Sequence, residues 1–166
     1  MGSRQRFRRL LTWHGLIATV FGIGMSPRMP EALATAACLA VFLLTGGANI
    51  VFLAAAAVAG AIAADRYARV YGAGSREVVV GEAVGFWASM FGLDRTFALV
   101  GFFLFRVVSA LRPFPAGYAE KLPGGFGVMA GGVCCGVIAN VLLRALDWMF
   151  FQGGLDAAYK FFGIGG

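Results

Sequence analysis

The chain has 166 residues, of which 60% are hydrophobic and only 13% are charged, and it contains 25 glycines. Soluble domains rarely combine these values, so the composition excludes an ordinary soluble enzyme and predicts a polytopic membrane protein. A segment that crosses a bilayer must satisfy its own backbone hydrogen bonds. The predicted fold class is therefore all-α, a helical bundle in one membrane domain over residues 1–166.

The net charge of +6 would indicate a nucleic-acid partner in a soluble protein. A chain this apolar instead uses its arginines for orientation and for contact with anionic lipid. No basic stripe is interleaved with aromatic residues, so we predict no nucleic-acid partner. The three cysteines, Cys38, Cys134 and Cys135, lie in apolar runs without C-x-x-C spacing, which is typical of small packing residues.

The N-terminal region combines a basic segment, residues 1–9, with an apolar run, residues 10–25. At about 1.5 Å per residue this run is roughly 24 Å long, so we predict an interfacial or re-entrant helix rather than a full span. A signal peptide has a similar profile, but Pro27 and Pro30 would lie between the apolar run and a cleavage site. His14 has no carboxylate or cysteine at ligand spacing, which favours a packing role.

The rest of the bundle, which extends to residue 151, contains further long apolar runs. About five transmembrane helices are predicted from them: 31–45, 48–64, 78–93, 96–111 and 128–151. Gly46-Gly47 and residues 92–95 are typical of tight turns between antiparallel helices. Residues 152–166 are predicted to form a C-terminal tail.

The basic residues predict the orientation of this bundle. With five spans, the N-terminus, the 65–77 loop and the 112–127 loop lie on the same side. That side collects most of the basic residues: Arg4, Arg6, Arg8, Arg9, Arg28, Arg66, Arg69, Arg76, Arg112 and Lys121. The positive-inside rule makes it cytoplasmic, so we predict a multi-pass protein with a cytoplasmic N-terminus and loops facing the inner leaflet.

A polar, turn-rich insert between two apolar runs carries the most distinctive motifs. Phe105-Arg106 begins the pattern F-R-x-x-S-x-x-R-P-F-P, and residues 124–129 read G-G-F-G-V-M. These residues resemble the signature of the phosphatidylglycerophosphatase A family, F-R-x-x-D-x-x-K-P-x-P followed by G-G-x-G-[IV]-M-x-D-D. Residues 79–85 are similar to the family's V-x-D-E-x-x-G segment, and residues 21–27 to its G-x-G-x-S-P loop.

The resemblance implies a Mg²⁺-dependent enzyme of the bacterial inner membrane that converts phosphatidylglycerol phosphate to phosphatidylglycerol. It implies Arg106 and Arg112 as phosphate-binding residues, Glu82 and Arg106 as catalytic residues, and Glu82 as a metal ligand. The family's four other motif aspartates correspond here to Gly81, Ser109, Gly131 and Gly132. If the framework around them keeps the family's geometry, restoring all four aspartates is expected to create a magnesium site.

Two of these residues carry charge inside predicted spans. A carboxylate at Glu82 is costly in a membrane unless it is paired or solvated, which makes it a functional candidate. The alternative is a glutamate at headgroup level that a neighbouring arginine holds. Arg106 either snorkels to the interface or presents a bidentate donor to a lipid phosphate. Because their helices are antiparallel neighbours, Glu82 and Arg106 are predicted to lie at a similar depth and to pair.

Two functions from different classes remain open at this point. The first is a lipid phosphatase that is either residually active or uses carboxylates such as Glu31, Asp65 or Glu77 from elsewhere in the fold in place of the missing aspartates. The second is a catalytically inactive relative that binds an anionic phospholipid of the inner leaflet or a membrane partner. A small channel or transporter has only the composition in its favour.

Overall fold

The computed structural model describes residues 12–26, 28–45, 50–71 and 78–151. Within these ranges the chain forms only helices and turns, which confirms the all-α prediction. The helices are α1 (Trp13–Ala18), α2 (Pro30–Thr45), α3 (Ile50–Tyr71), α4 (Val80–Ser89), α5 (Ala98–Leu111), α6 (Ala116–Ala119) and α7 (Gly125–Phe151), with 3₁₀ turns at Ile23–Met25 and Arg95–Phe97.

Each of the five predicted spans contains a helix, but the helices differ in length. In the described part of the chain, α3 and α7 are long and apolar enough to cross a membrane. Helices α2, α4 and α5 have 16, 10 and 14 residues. At about 1.5 Å per residue they are shorter than the hydrocarbon core of about 30 Å. Two candidate spans are therefore established by length and composition, and five complete spans stay a prediction.

Helix α4 ends four residues before the predicted boundary. At this point a side chain of α7 binds one carbonyl group at the end of α4 and one just after it. The Asn140 side-chain amide donates hydrogen bonds to the carbonyl oxygens of Ser89 (2.8 Å) and Phe91 (2.9 Å). Gly92 then adopts a φ of +69°, a left-handed conformation that commonly follows a helix end. The chain turns here and enters α5 as its antiparallel neighbour.

Of the predicted N-terminal helix over residues 10–25 the structure describes residues 12–25, and these are helical only in α1 and in the short 3₁₀ turn. After α1 the Thr19 hydroxyl donates to the Gly15 carbonyl at 2.7 Å, and Val20, Phe21 and Gly22 all have positive φ. The Val79 amide donates to the Ala18 carbonyl at 3.0 Å, which joins this turn to the start of α4. The basic segment, the 46–47 turn and the C-terminal tail lie outside the described residues.

Helices α4 and α7 pack closely through glycines spaced four residues apart on each helix. Gly81 and Gly85 of α4 face Gly132 and Gly136 of α7, so that backbone lies against backbone. A Cβ atom at Gly136 would lie 2.9 Å from the Cβ of Ala88, and one at Gly132 would collide with the Gly81 carbonyl. Small residues permit this close approach, which is the usual way that helices associate in a membrane.

Aromatic residues fix the other side of α4 against α5. Phe86 and Phe105 are fully buried, and their rings lie edge to face with centroids 6.0 Å apart. Phe42 of α2 packs on Phe86 in the same geometry at 6.5 Å. Such pairs stabilise a core beyond the area they bury. They hold α2, α4 and α5 in register, so that the polar residues one turn above them meet.

Candidate functional site

A cavity of about 340 Å³ opens between α2, α4, α5, α6 and α7, and we call it the polar cavity. Residues from each of the family-like motifs of the later chain line it, although these motifs are far apart in sequence. Among the lining residues are Glu31, Glu82, Ser109, Arg112, Glu120, Gly131 and Gly132. The convergence of the 79–85, 105–115 and 124–132 motifs on one cavity identifies it as the candidate site.

The Ser109 hydroxyl contacts the Glu82 carboxylate across the α4–α5 interface. Its Oγ lies 2.7 Å from both Oε1 and Oε2 of Glu82. Ser109 is buried, and the Glu82 side chain is only 12% exposed. A buried carboxylate needs such a donor, because an unpaired charge in this environment is costly.

Arg106 lies behind the wall of the polar cavity rather than in its lining. Its Nη1 is 3.6 Å from Glu82 Oε2 and 3.8 Å from Glu31 Oε2. Both distances exceed the 2.7–2.9 Å or so of a good charge-assisted hydrogen bond, and Nη1 is buried without a hydrogen-bond partner. The structure thus brings Glu82 and Arg106 together as an ion pair, and Arg106 keeps an unused donor.

Arg112 lines the polar cavity at the point where α5 ends. It adopts a left-handed φ of +45°, and the chain then turns through the Pro113-Phe114-Pro115 segment into α6. This turn brings Glu120 back against Arg112, and the two form an ion pair. The Arg112 side chain is 41% exposed and the Glu120 side chain is 34% exposed, so both partners are partly accessible to solvent. Sequence reasoning missed Glu120, whose only signal was an acidic residue one short loop after the arginine.

The carboxylates proposed as substitutes for the missing aspartates have different positions. Glu31 lines the polar cavity, close to Arg106. Asp65 instead accepts a hydrogen bond from Arg69 at 2.8 Å on α3 and does not line the cavity. Glu77 lies outside the described residues. Of the two that the structure describes, Glu31 is therefore the one placed to join Glu82.

The donor set of the polar cavity does not fit a magnesium ion well. Magnesium prefers an octahedron of oxygen ligands that includes one or two free carboxylates. Among the described residues no group of three or more His, Cys, Asp or Glu side chains is arranged to hold a metal. Each carboxylate of the cavity is already within ion-pair distance of an arginine.

The geometry also corrects the expectation that all four aspartates could be restored. At Gly81 a Cβ atom would lie 3.0 Å from Val128 Cγ1 and against the Val128 carbonyl, and at Gly132 it would meet the Gly81 backbone. At Gly131 the nearest atom is the Glu120 Cβ at 3.2 Å, on a loop that is able to shift. Position 131 therefore admits a larger side chain when the Glu120 loop shifts, and position 109 borders the cavity, whereas positions 81 and 132 are closed by backbone.

Comparison with known proteins agrees with the motif resemblance. A family model described as phosphatidylglycerophosphatase A matches residues 16–147. A Bacteroides thetaiotaomicron protein named "Putative phosphatidylinositol-3-phosphatase" is 31% identical over 148 residues, 81% of this chain and 93% of that protein. Phosphatidylglycerophosphatase A of Escherichia coli is 26% identical over 151 residues, 85% of this chain and 87% of that protein. No solved structure matches at a significant level. The chain belongs to the phosphatidylglycerophosphatase A family.

Proposed function

We propose that this chain binds the phosphate-bearing headgroup of a membrane phospholipid at the polar cavity, as a member of its family that no longer carries out the metal-dependent reaction. One observation carries the proposal. The family's motif positions converge on one cavity, yet the carboxylates there face arginines instead of a metal-binding arrangement. The reference ligand is phosphatidylglycerol phosphate, the substrate that the family's name implies.

Arg112 is the primary phosphate-binding residue in this proposal. It lines the cavity, and a guanidinium matches two phosphate oxygens with two parallel hydrogen bonds. Its partner Glu120 is partly exposed and is able to turn toward solvent when phosphate takes its place. Arg106, with its unused Nη1 donor, supports the same negative charge from behind Glu31 and Glu82.

The proposal places the cavity at the cytoplasmic face of a bacterial inner membrane, with a cytoplasmic N-terminus. The apolar α3 and α7 support membrane insertion. The hairpin of α4 and α5 returns to the side from which it starts, so the 112–127 loop keeps its side whether or not that hairpin crosses completely. A Gly117→Cys variant without native cysteines tests this. Its thiol should react with an impermeant reagent only after the cells are opened, and labelling in intact cells would reverse the orientation.

A second function, hydrolysis of the phosphate monoester, is favoured by the contact between Ser109 and Glu82. A hydroxyl that donates to a carboxylate is the usual arrangement of a nucleophile and its base. In this reaction the Ser109 oxygen forms a bond to phosphorus while its proton passes to Glu82. The bond from phosphorus to the lipid oxygen breaks as Glu82 returns that proton to the leaving alkoxide. Water then attacks the phosphoserine while its proton passes through Glu82 to the Ser109 oxygen, and inorganic phosphate is released. Glu82 and Arg106, which the family resemblance implies as catalytic residues, act here as base and as stabiliser of negative charge.

Lipid binding and phosphate release, measured on the same preparation, separate the two functions. Phosphatidylglycerol phosphate should bind more tightly than phosphatidylglycerol, and Arg112→Ala should remove that preference. Arg69→Ala is the matched control, because Arg69 is exposed on α3 and does not line the cavity. We expect no phosphate release with or without magnesium. Turnover that requires magnesium would contradict the inactive assignment, whereas metal-independent turnover that Ser109→Ala abolishes would establish the second function.

A further inference from the structure

A second cavity lies on the opposite side of α4 from α7, and its lining is almost entirely apolar. It has a volume of about 470 Å³, is open on one side, and is bordered by the turn after α1 and by helices α2, α3 and α4. Its walls include Val20, Cys38, Phe52, Ala56, Val84 and Trp87. We call it the apolar cavity. Its size falls within the roughly 300–1,000 Å³ that is typical of ligand sites.

The apolar cavity adjoins the polar cavity through two shared helices. On α2, Glu31 lines the polar cavity and Cys38 lines the apolar cavity. Seven residues are nearly two helical turns, so both residues lie on one face about 10 Å apart along the axis. On α4, Glu82 faces the polar cavity and the next residue, Ala83, faces the apolar cavity. The charged site and the apolar site thus follow one another along α2 and lie on adjacent faces of α4.

We propose that the apolar cavity holds one acyl chain of the phospholipid whose headgroup occupies the polar cavity. The proposal rests on the proposed function, since the headgroup fixes which end of the lipid enters the polar side. An amphiphile is the class of ligand that matches charge at one end and a wholly apolar lining at the other. A purely polar ligand would leave the apolar cavity unused, whereas an apolar lining favours an apolar occupant.

The chain site contributes selectivity more than affinity. An acyl chain that leaves the bilayer for this cavity exchanges one apolar surrounding for another, so it gains packing contacts but little from the hydrophobic effect. Binding strength is set by the headgroup, and the cavity selects lipids whose chain reaches Trp87. A direct measurement of where the chain lies is therefore more informative than a measurement of affinity.

The fluorescence of Trp87 reports the position of the acyl chain, because Trp87 lines the apolar cavity. Trp13→Phe and Trp148→Phe leave it as the one tryptophan in the chain. Phosphatidylglycerol phosphate with a brominated acyl chain is titrated into the protein in detergent. We expect quenching of Trp87 fluorescence that saturates at one lipid per chain. Ala59→Phe, which fills the cavity from α3, should abolish the saturable part, whereas Ala54→Phe, exposed on the same helix but not lining the cavity, should leave it intact.

The outcomes distinguish this inference from the proposed function. Quenching that never saturates, or that Ala59→Phe leaves unchanged, overturns the acyl-chain site even if headgroup binding through Arg112 persists. Saturable quenching that is indifferent to Arg112→Ala supports the chain site and counts against the headgroup proposal. If Ala59→Phe fails to fold, Cys38 gives the answer in a variant with Cys134→Ala and Cys135→Ala. Added lipid should slow the reaction of Cys38 with an apolar maleimide, and an unchanged rate overturns the site.

Discussion

Helix α4 contacts its neighbours α7 and α5 through two different kinds of interface. Toward α7, Gly81 and Gly85 present bare backbone, and no atom can be added without a collision. Toward α5, Glu82 meets Ser109 and Arg106 through long polar side chains at distances of 2.7 and 3.6 Å. One side is a rigid steric contact, and the other is an electrostatic contact with room to adjust.

This difference shows at which of the family's aspartate positions the packing of this chain admits a larger side chain. Positions 81 and 132 hold aspartates in the family's motifs, and here both belong to the steric contact. Positions 109 and 131 border the polar cavity, where neighbouring side chains are able to move. The glycines at 81 and 132 therefore belong to a helix contact that leaves no space for an aspartate, whereas Ser109 and Gly131 border the cavity and affect its chemistry.

The largest expected effect comes from adding a single methyl group to the steric contact. Gly132→Ala places a Cβ against the Gly81 backbone, with the Gly81 Cα 3.0 Å away. We expect it to lower the free energy of unfolding by about 3 kcal/mol, at the upper end of overpacking, because two backbones must separate. Denaturant or thermal unfolding in detergent, followed by circular dichroism, measures the loss.

Gly131→Ala is the matched control, because it makes the same change one residue earlier on the same helix. Its Cβ meets only the Glu120 side chain and loop. Alanine also has a helix propensity about 1 kcal/mol better than glycine, so this variant should be neutral or slightly more stable. Similar losses of unfolding free energy in both variants would show that the destabilisation arises within helix α7 and not from its contact with α4.

The charged side is tested by a double-mutant cycle on Glu82 and Arg106. Arg106→Leu leaves Glu82 largely buried with Ser109 as its remaining partner, and we expect a loss of about 3 kcal/mol, as for other broken buried pairs. Removing both charges should cost less than removing Arg106 alone. The coupling energy from the four unfolding curves is expected to exceed about 1 kcal/mol.

The exposed pair of Asp65 and Arg69 provides the comparison for this cycle. It has a shorter distance, 2.8 Å, but the Arg69 side chain is 77% exposed. Solvent screens such pairs, so their coupling should stay below about 1 kcal/mol. Additive losses at Glu82 and Arg106 would mean that the two charges are solvated independently and are not partners.

Sequence reasoning predicted much of the charged side and little of the steric side. The all-α class follows from composition, and the proximity of Glu82 to Arg106 follows from two antiparallel apolar runs of similar length. The role of Gly81 and Gly132 was not predictable in the same way. A glycine in an aspartate position indicates a lost charge. Only the coordinates show that the backbone of the neighbouring helix occupies the place where a side chain would lie. The apolar cavity was equally hidden, since its lining residues resemble any other apolar positions.

Ser109 provides a smaller test of the charged side. Ser109→Ala removes the hydroxyl that donates to Glu82, and a hydrogen bond to a charged group contributes about 2 kcal/mol. Ser89→Ala is the control, because the Ser89 hydroxyl is also buried but donates to the Phe86 carbonyl within its own helix. We expect the control to lose less stability in the same unfolding assay. Equal losses of stability in the two variants would show that the hydrogen bond to Glu82 contributes no more than the one within the helix.

The smallest expected effect concerns positions 109 and 131, which border the polar cavity. Ser109→Asp with Gly131→Asp adds carboxylates on either side of the polar cavity, near Glu82, without touching the steric contact. Together with Glu31, Glu82 and Glu120 they make five carboxylates around one cavity. These carboxylates repel one another, and a divalent cation relieves the repulsion. Magnesium at tenfold its dissociation constant should then raise the free energy of unfolding by about 1.4 kcal/mol, and it should leave the parent protein unchanged.

Thermal unfolding with and without magnesium measures this stabilisation, after retained helicity and monodispersity show that the variant has folded. Adding Gly132→Asp to the same variant should abolish folding, because that position is closed. If the folded double variant ignores magnesium, room at positions 109 and 131 is insufficient for a metal site, and the two closed positions supplied ligands that this packing no longer admits. If it binds magnesium and also releases phosphate from phosphatidylglycerol phosphate, the polar cavity has kept the geometry of a phosphatase and has lost only its ligands.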